Sequence, residues 1–224
     1  MKFLLVSTLL MFFFTVSTQA QQLIFEDDFS KTLDTKVWKV EMEHQPNSFV
    51  FTKDGNLILD TQGGVTVWLN RLLKGNYVIE YTRTIEMDQK VNDRLSDLNQ
   101  FWMAKDPRQE NLFTRSGALA SYDSLQLYYV GMGGNYNSTT RFRKYQGNGE
   151  RTLLLEYADQ DHMLLPNHAY MIRTVVLNGK VSFYVDGKLY FTYDDPTPLR
   201  EGYFGFRSTK SRQSISGIKI YQLD

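Results

Sequence analysis

The 224-residue chain has no cysteine. That excludes a disulfide framework, thiolate metal ligands and acylation of a lipoprotein cysteine. Histidine is scarce too: His44, His162 and His168 are scattered, which provides no transition-metal spacing. Net charge is absent, since 25 Lys+Arg stand against 25 Asp+Glu. Such a chain carries no electrostatic footprint for nucleic acid or an anionic membrane. Beyond the first twenty residues no apolar run approaches a membrane span. Capped helical periodicity, internal repeats and low-complexity linkers are all missing.

The first twenty residues, MKFLLVSTLLMFFFTVSTQA, combine a basic Lys2, an apolar run from Phe3 and a small-residue end at Ala20. They read as a secretory signal peptide, so the expected location is the periplasm or the outside of the cell. Residues 21–224 are then expected to form one domain with a sizeable core. Short runs rich in aromatic and β-branched residues alternate with turn signals throughout. Asp54-Gly55, Asn178-Gly179 and Asp186-Gly187 are favoured two-residue hairpin turns. Trp38 is expected to anchor the core. Roughly a dozen short strands of this kind predict an all-β sandwich.

The central segment Arg115–Tyr145, RSGALASYDSLQLYYVGMGGNYNSTTRFRKY, reads as two strands around a Gly/Asn-rich connection. On the second strand Arg141, Arg143 and Tyr145 share one face and Thr140, Phe142 and Lys144 the other. On the first, Tyr122, Ser124, Gln126 and Tyr128 oppose Leu125, Leu127 and Tyr129. A row of two arginines and a tyrosine is no ordinary core row. Two guanidiniums beside phenols suit a planar anion such as a sugar carboxylate, which the arginine fork grips bidentately. The alternative is that the arginines are solvated, or paired with Asp123 and Glu156.

The opening FEDDF…W and DGNLIL, with the closing VDGKLYF and GYFGFRS, resemble the concanavalin A-like jelly roll of lectins and glycan-active enzymes. The central segment together with LLLEY further resembles secreted jelly-roll proteins of bacterial uronic-acid polysaccharide breakdown, ulvan-oligosaccharide dehydratases among them. That resemblance implies 4,5-elimination of water from a terminal uronic acid of ulvan-type oligosaccharides. It implies an anionic oligosaccharide as partner, with no redox cofactor. A retaining glycosidase on this fold carries Glu-x-Asp-x-x-Glu. The nearest run here, Glu86-Met87-Asp88-Gln89-Lys90-Val91, ends in valine and lacks the second acid.

Elimination requires donors that stabilise the uronate carboxylate as the C5 proton leaves, a base, and an acid at the C4 oxygen. Arg141 and Arg143 are the expected carboxylate clamp, with Tyr145, Tyr122 and His44 as proton-transfer candidates. Arg115, Trp102, Asn99, Tyr129 and Asn135 are expected to line the subsite, Trp102 as a sugar platform ahead of Trp68. No metal is expected in the reaction. A structural calcium could be held by Asp27, Asp28, Asp194 and Asp195 if the first and penultimate strands pair. The expected state is a monomer. A polysaccharide lyase, a carbohydrate-binding module, and a hydrolase using Glu80, Glu86 or Glu156 remain the alternatives.

Overall fold

The computed structural model describes residues 21–224, so the expected signal peptide lies outside the described residues. In chain order the strands are β1 (Gln21–Asp27), β2 (Trp38–Met42), β3 (Phe49–Lys53), β4 (Asn56–Thr61), β5 (Val65–Leu69), β6 (Leu73–Lys74), β7 (Tyr77–Ile85) and β8 (Leu98–Lys105). They continue with β9 (Gln126–Gly133), β10 (Thr139–Gln146), β11 (Arg151–Tyr157), β12 (Ala169–Leu177), β13 (Lys180–Val185), β14 (Lys188–Asp194), β15 (Glu201–Ser208) and β16 (Ser211–Leu223). They form two antiparallel sheets stacked as the expected all-β sandwich. The first sheet has the order β14-β13-β12-β7-β16-β4-β3, with β1 on β16; the second has β11-β10-β9-β8-β15-β5-β2, with β6 on β15. No helix among the described residues is long and apolar enough to cross a membrane.

Local chemistry accounts for much of this. Asn178 (φ 52°) and Gly179 (φ 86°) both adopt left-handed backbone between β12 and β13, as a two-residue hairpin requires, and the Asp54-Gly55 and Asp186-Gly187 turns repeat it. β12 buries Tyr170, Ile172, Thr174 and Val176 and exposes Ala169, Met171 and Arg173, the alternation of a sheet with one wet face. Trp38 is buried and stacked on Phe206, and its indole N–H donates to Asp27 at 2.8 Å.

The second sheet departs from that pattern. From Leu98 to Ala104 every residue of β8 is buried, and so is all of β5. The cause is the segment 106–124, which folds over the outer face of this sheet and creates a second apolar cluster containing Trp68, Phe101, Tyr122, Leu127, Tyr129 and Tyr145. Trp102 therefore is not a sugar platform. It sits between the sheets, stacked on Phe142 at 5.7 Å, because an even position on β8 points inward while Asn99 and Phe101 point outward. Tyr122 is not on a strand either; it belongs to a short 3₁₀ turn, Leu119–Tyr122, within the covering segment.

The calcium expectation loses its geometric premise. β1 pairs with β16, whereas Asp194 closes β14 at the far edge of the first sheet. Asp27 instead accepts from Phe29 N and Trp38, and Asp195 is held by Lys144 Nζ at 2.7 Å and Tyr128 at 2.5 Å. Among the described residues no three His, Asp or Glu side chains gather as metal ligands.

Two polar clamps hold the second sheet in place. Arg83 of β7 is wholly buried between the sheets. It donates to Gln213 Oε1 at 2.6 Å, the Asn99 carbonyl at 2.7 Å and the Arg207 carbonyl at 2.9 Å. Burial pulls its pKa down to about 10, with Tyr81 the first of the groups that offset this, so it remains a cation at neutral pH. The second clamp is Asp106, whose fully buried side chain accepts from Arg108 (Nε, 3.1 Å), Gln109 (3.2 Å) and Arg115. The covering segment is thereby closed on itself.

Arg83→Met should fill the space while leaving two main-chain carbonyls and Gln213 without their donor. At about 1–3 kcal/mol per unsatisfied buried group, the loss is expected to be about 3 kcal/mol or more, read as a lower urea midpoint at unchanged slope. Hydrogen bonds from Arg108, then from Arg115, hold the Asp106 carboxyl far below the usual carboxylate range. Its stabilisation is thus complete above the ordinary aspartate pKa and is lost as pH falls below about 4 toward the folded value. Exchange protection in residues 106–124 should decline over that range before the strands lose theirs, and Asp106→Asn should flatten the dependence.

Candidate active site

The outer face of the second sheet is organised in rows set by strand register. One row runs Glu41, Thr66, Arg207, Asn99, Gly131, Arg141, Glu156, each paired with the next across seven strands. The adjacent row runs Lys39, Trp68, Gly205, Phe101, Tyr129, Arg143, Leu153. Period-two alternation thus places Arg141, Arg143 and Tyr145 on one face with Tyr129 and Asn99, opposite the core face that holds Phe142 and Lys144.

The covering segment divides this face. On one side it seals Glu41, whose carboxylate accepts from Arg115 N (2.6 Å), Trp68 Nε1 (2.7 Å) and Tyr122 Oη (3.0 Å). Desolvation raises the Glu41 pKa, and these donors offset part of the rise. Arg207, wholly buried, reaches the Gly117 carbonyl of the covering segment and lies over the Tyr122 ring at 5.3 Å. Burial lowers its pKa. Its Nε and Nη2, like Asn99 Oδ1 beside it in the row, find no partner within the described residues. Buried polar atoms without partners mark a place where a ligand or water completes the bonding.

On the other side the face stays open as a cavity of about 240 Å³. Arg94, Asp97 and Tyr136 line one wall, Arg141 and Arg143 another, and Tyr129 and Gly131 lie between. The Tyr129 hydroxyl sits directly above Gly131, where a β-carbon would come within 2.3 Å of it, so only glycine admits this ring. Burial pushes the Tyr129 phenol well up, Tyr145 adds to the rise, and Arg207 and Arg143 offset part of it. Arg141 is paired with Glu156, and Arg94 with Asp97 at 2.7 Å. Arg143 makes no ion pair or hydrogen bond with any described residue and is half-buried. It is the uncommitted cation of the cavity.

The expected site residues therefore separate. Arg141, Arg143, Tyr129 and Asn135 line one cavity, with Asn99 adjoining through the row. Tyr145 shares the face but is buried, with Arg151 over its ring at 5.4 Å. Tyr122 is sealed under the covering segment with its hydroxyl on Glu41. Arg115 is consumed by Asp106 and the Leu112 carbonyl, so it braces the covering segment and has no free fork for a substrate. His44 is exposed and lines a different cavity, with Glu41, Glu43 and Ser116. Glu86 and Asp88 pair with Arg212 away from this face, and Glu80 pairs with Arg173 on the first sheet.

Sequence reasoning missed Glu41, Arg94, Asp97, Tyr136 and Arg207. Of these only Arg207 left a signal: in Gly202–Ser208 the phenylalanines 204 and 206 alternate with Gly205 and Arg207, marking an outward row. Asp97, at φ 65°, follows a bend that no local pattern announces.

The fold recurs in solved structures. A Bacillus subtilis protein of unknown function with a galectin-like fold superposes with a TM-score of 0.73 at 17% identity, over 92% of this chain and 99% of its own. The endo-β-1,3-glucanase of Pyrococcus furiosus reaches 0.63 at 9% identity, over 93% and 97%. The carbohydrate binding module CBM66 of Bacillus subtilis reaches 0.58 at 14% identity, over 84% and 96%. At such identities the likeness is one of fold. No curated protein matches the chain by sequence. A family model does match residues 59–218, across strands of both sheets and the whole covering segment, and the chain belongs to that family, the domain of unknown function DUF6250.

Proposed function

We propose that the protein is a carbohydrate-active lyase of the dehydratase type, removing water across C4 and C5 of a terminal uronic acid of an ulvan-type oligosaccharide. The observation that carries the reading is Arg143, a guanidinium with no carboxylate partner, one strand from the Tyr129 phenol in a cavity for a single sugar ring. At about 240 Å³ the cavity is below the roughly 300–1,000 Å³ of pockets for larger ligands. The carbohydrate-related names among proteins of the same fold, a glucanase and a carbohydrate binding module, agree with a sugar ligand.

In this reading Arg143 binds the uronate carboxylate and stabilises the charge that develops as the C5–H bond breaks. Asp97 takes the C5 proton. The electron pair forms the C4=C5 bond, the C4–O bond breaks, and Tyr129 gives its proton to the departing oxygen, so water leaves. A proton passing from Asp97 to Tyr129 resets the site. A phenol pushed up by burial stays protonated at neutral pH, which excludes it as the base, and the same rise makes it a reluctant proton donor. That same property favours the alternative of a binding module, since every resolved tyrosine shift on this face is upward.

Ultraviolet absorbance of the conjugated uronate, with mass spectrometry on ulvan oligosaccharides, separates these readings. Rising absorbance with loss of water supports dehydration, and rising absorbance with chain shortening supports a polysaccharide lyase. Binding without either supports the module. Arg143→Ala is expected to lower turnover by at least about 100-fold with the circular dichroism spectrum unchanged. Arg141→Ala should cost less, because Glu156 already engages that side chain. Equal losses would remove Arg143 from its special role.

A further inference from the structure

The connection between β9 and β10 is built in an unusual way. Asn135 (φ 52°), Tyr136 (φ 58°) and Asn137 (φ 60°) are consecutive left-handed residues, following Gly133 at φ 72°. Asparagine tolerates that region; a tyrosine there is strained, and glycine would not be. The strain is held from outside the turn. Asn137 Nδ2 donates to the Leu164 carbonyl at 2.9 Å and its Oδ1 accepts from Leu164 N at 2.8 Å. Ser138 Oγ closes the turn on the Asn135 carbonyl at 2.8 Å.

Folding gains little from the ring so displayed. Tyr136 is 83% exposed and forms no hydrogen bond with a described residue. The Arg94 guanidinium lies over its ring, 4.7 Å from the centroid, and Arg94 is itself tied to Asp97. With that exposure, a cation on one side leaves the rest of the ring to solvent, at the wall of the cavity that Arg143 and Tyr129 line. Strained residues held by surrounding contacts cluster at active sites and ligand clamps.

The geometry points to Tyr136 as the aromatic platform of this cavity, stacking on the C–H face of a pyranose ring whose carboxylate lies toward Arg143. The assignment rests on the proposed reading of the cavity as a sugar site, and adds to it a residue that binds without moving a proton. With the turn held through Asn137 and Arg94 over one face of the ring, the platform is partly preorganised, which lowers the ordering cost of binding.

Calorimetric binding tests this apart from turnover, using the full chain with two probes: uronic-acid-terminated ulvan oligosaccharides and neutral β-glucan oligosaccharides. Tyr136→Gly should weaken binding roughly tenfold, with a melting temperature unchanged or raised by relief of the left-handed strain. Tyr136→Phe should bind as the parent does, and Tyr136→Leu, which keeps bulk without a π face, should bind as the glycine variant does. If the glycine variant fails to fold, the Phe and Leu pair decides. Uronate binding indifferent to all three substitutions overturns the platform while leaving the uronate reading intact. Tyr136-dependent binding of only the neutral probe supports the platform and overturns the uronate reading. Binding of neither probe by the parent protein overturns both.

Discussion

Arg83 comes from the first sheet, yet its hydrogen bonds end on the main chain of the second. By holding the carbonyls of Asn99 and Arg207 together with Gln213, one buried guanidinium ties β7, β8, β15 and β16 into a single unit. An ion in that position is costly unless its donors are satisfied. Here Nε, Nη1 and Nη2 each donate to an acceptor. The two residues whose backbones it grips stand side by side in the row facing the covering segment, so the inner clamp and the outer face share the same strands.

The second sheet thus serves two interfaces at once. Its inner face packs against the first sheet through Trp38, Trp102, Tyr128 and Phe142, and its outer face accepts residues 106–124 over Trp68, Phe101 and Tyr129. That covering changes what the open face can do. Around Glu41 it converts potential binding surface into a sealed hydrogen-bonded core, and it leaves the β9–β10 end open as the cavity of Arg143 and Tyr129. Such a division explains why aromatic residues common to both regions have different fates.

The same division explains what could be read from the sequence. Period-two alternation was legible wherever one face is wet, so the hairpins, the inward Trp38 and the outward Arg141, Arg143 and Tyr145 row all follow from local pattern. On β8 both faces are dry and alternation vanishes, which is why Trp102 reads like Phe101 although they point oppositely. Arg115 and Tyr122 required knowing where an irregular segment lands, and their partners Asp106 and Glu41 are set by tertiary packing. Arg207 and Asp97 meet the arginines of β10 only through strand order, which no window of sequence contains.

The formal neutrality of the chain conceals an uneven field on this face. In the row from Glu41 to Glu156 the acids occupy the two ends and the arginines stand inside. Glu156 is one strand from Arg141 and cancels it, whereas Glu41 is two strands from Arg207, about 10 Å at the usual strand spacing of about 4.8 Å. Both of those side chains are buried beneath the covering segment, where salt screens little, and Glu41 spends its charge on donors from Arg115, Trp68 and Tyr122. At the open end Arg141 and Arg94 are cancelled by Glu156 and Asp97, so positive potential concentrates at Arg143. An anion entering that end meets one uncancelled cation with a carboxylate on either side of it, Asp97 before β8 and Glu156 on β11, so the sheet centres its ligand laterally before any close contact forms.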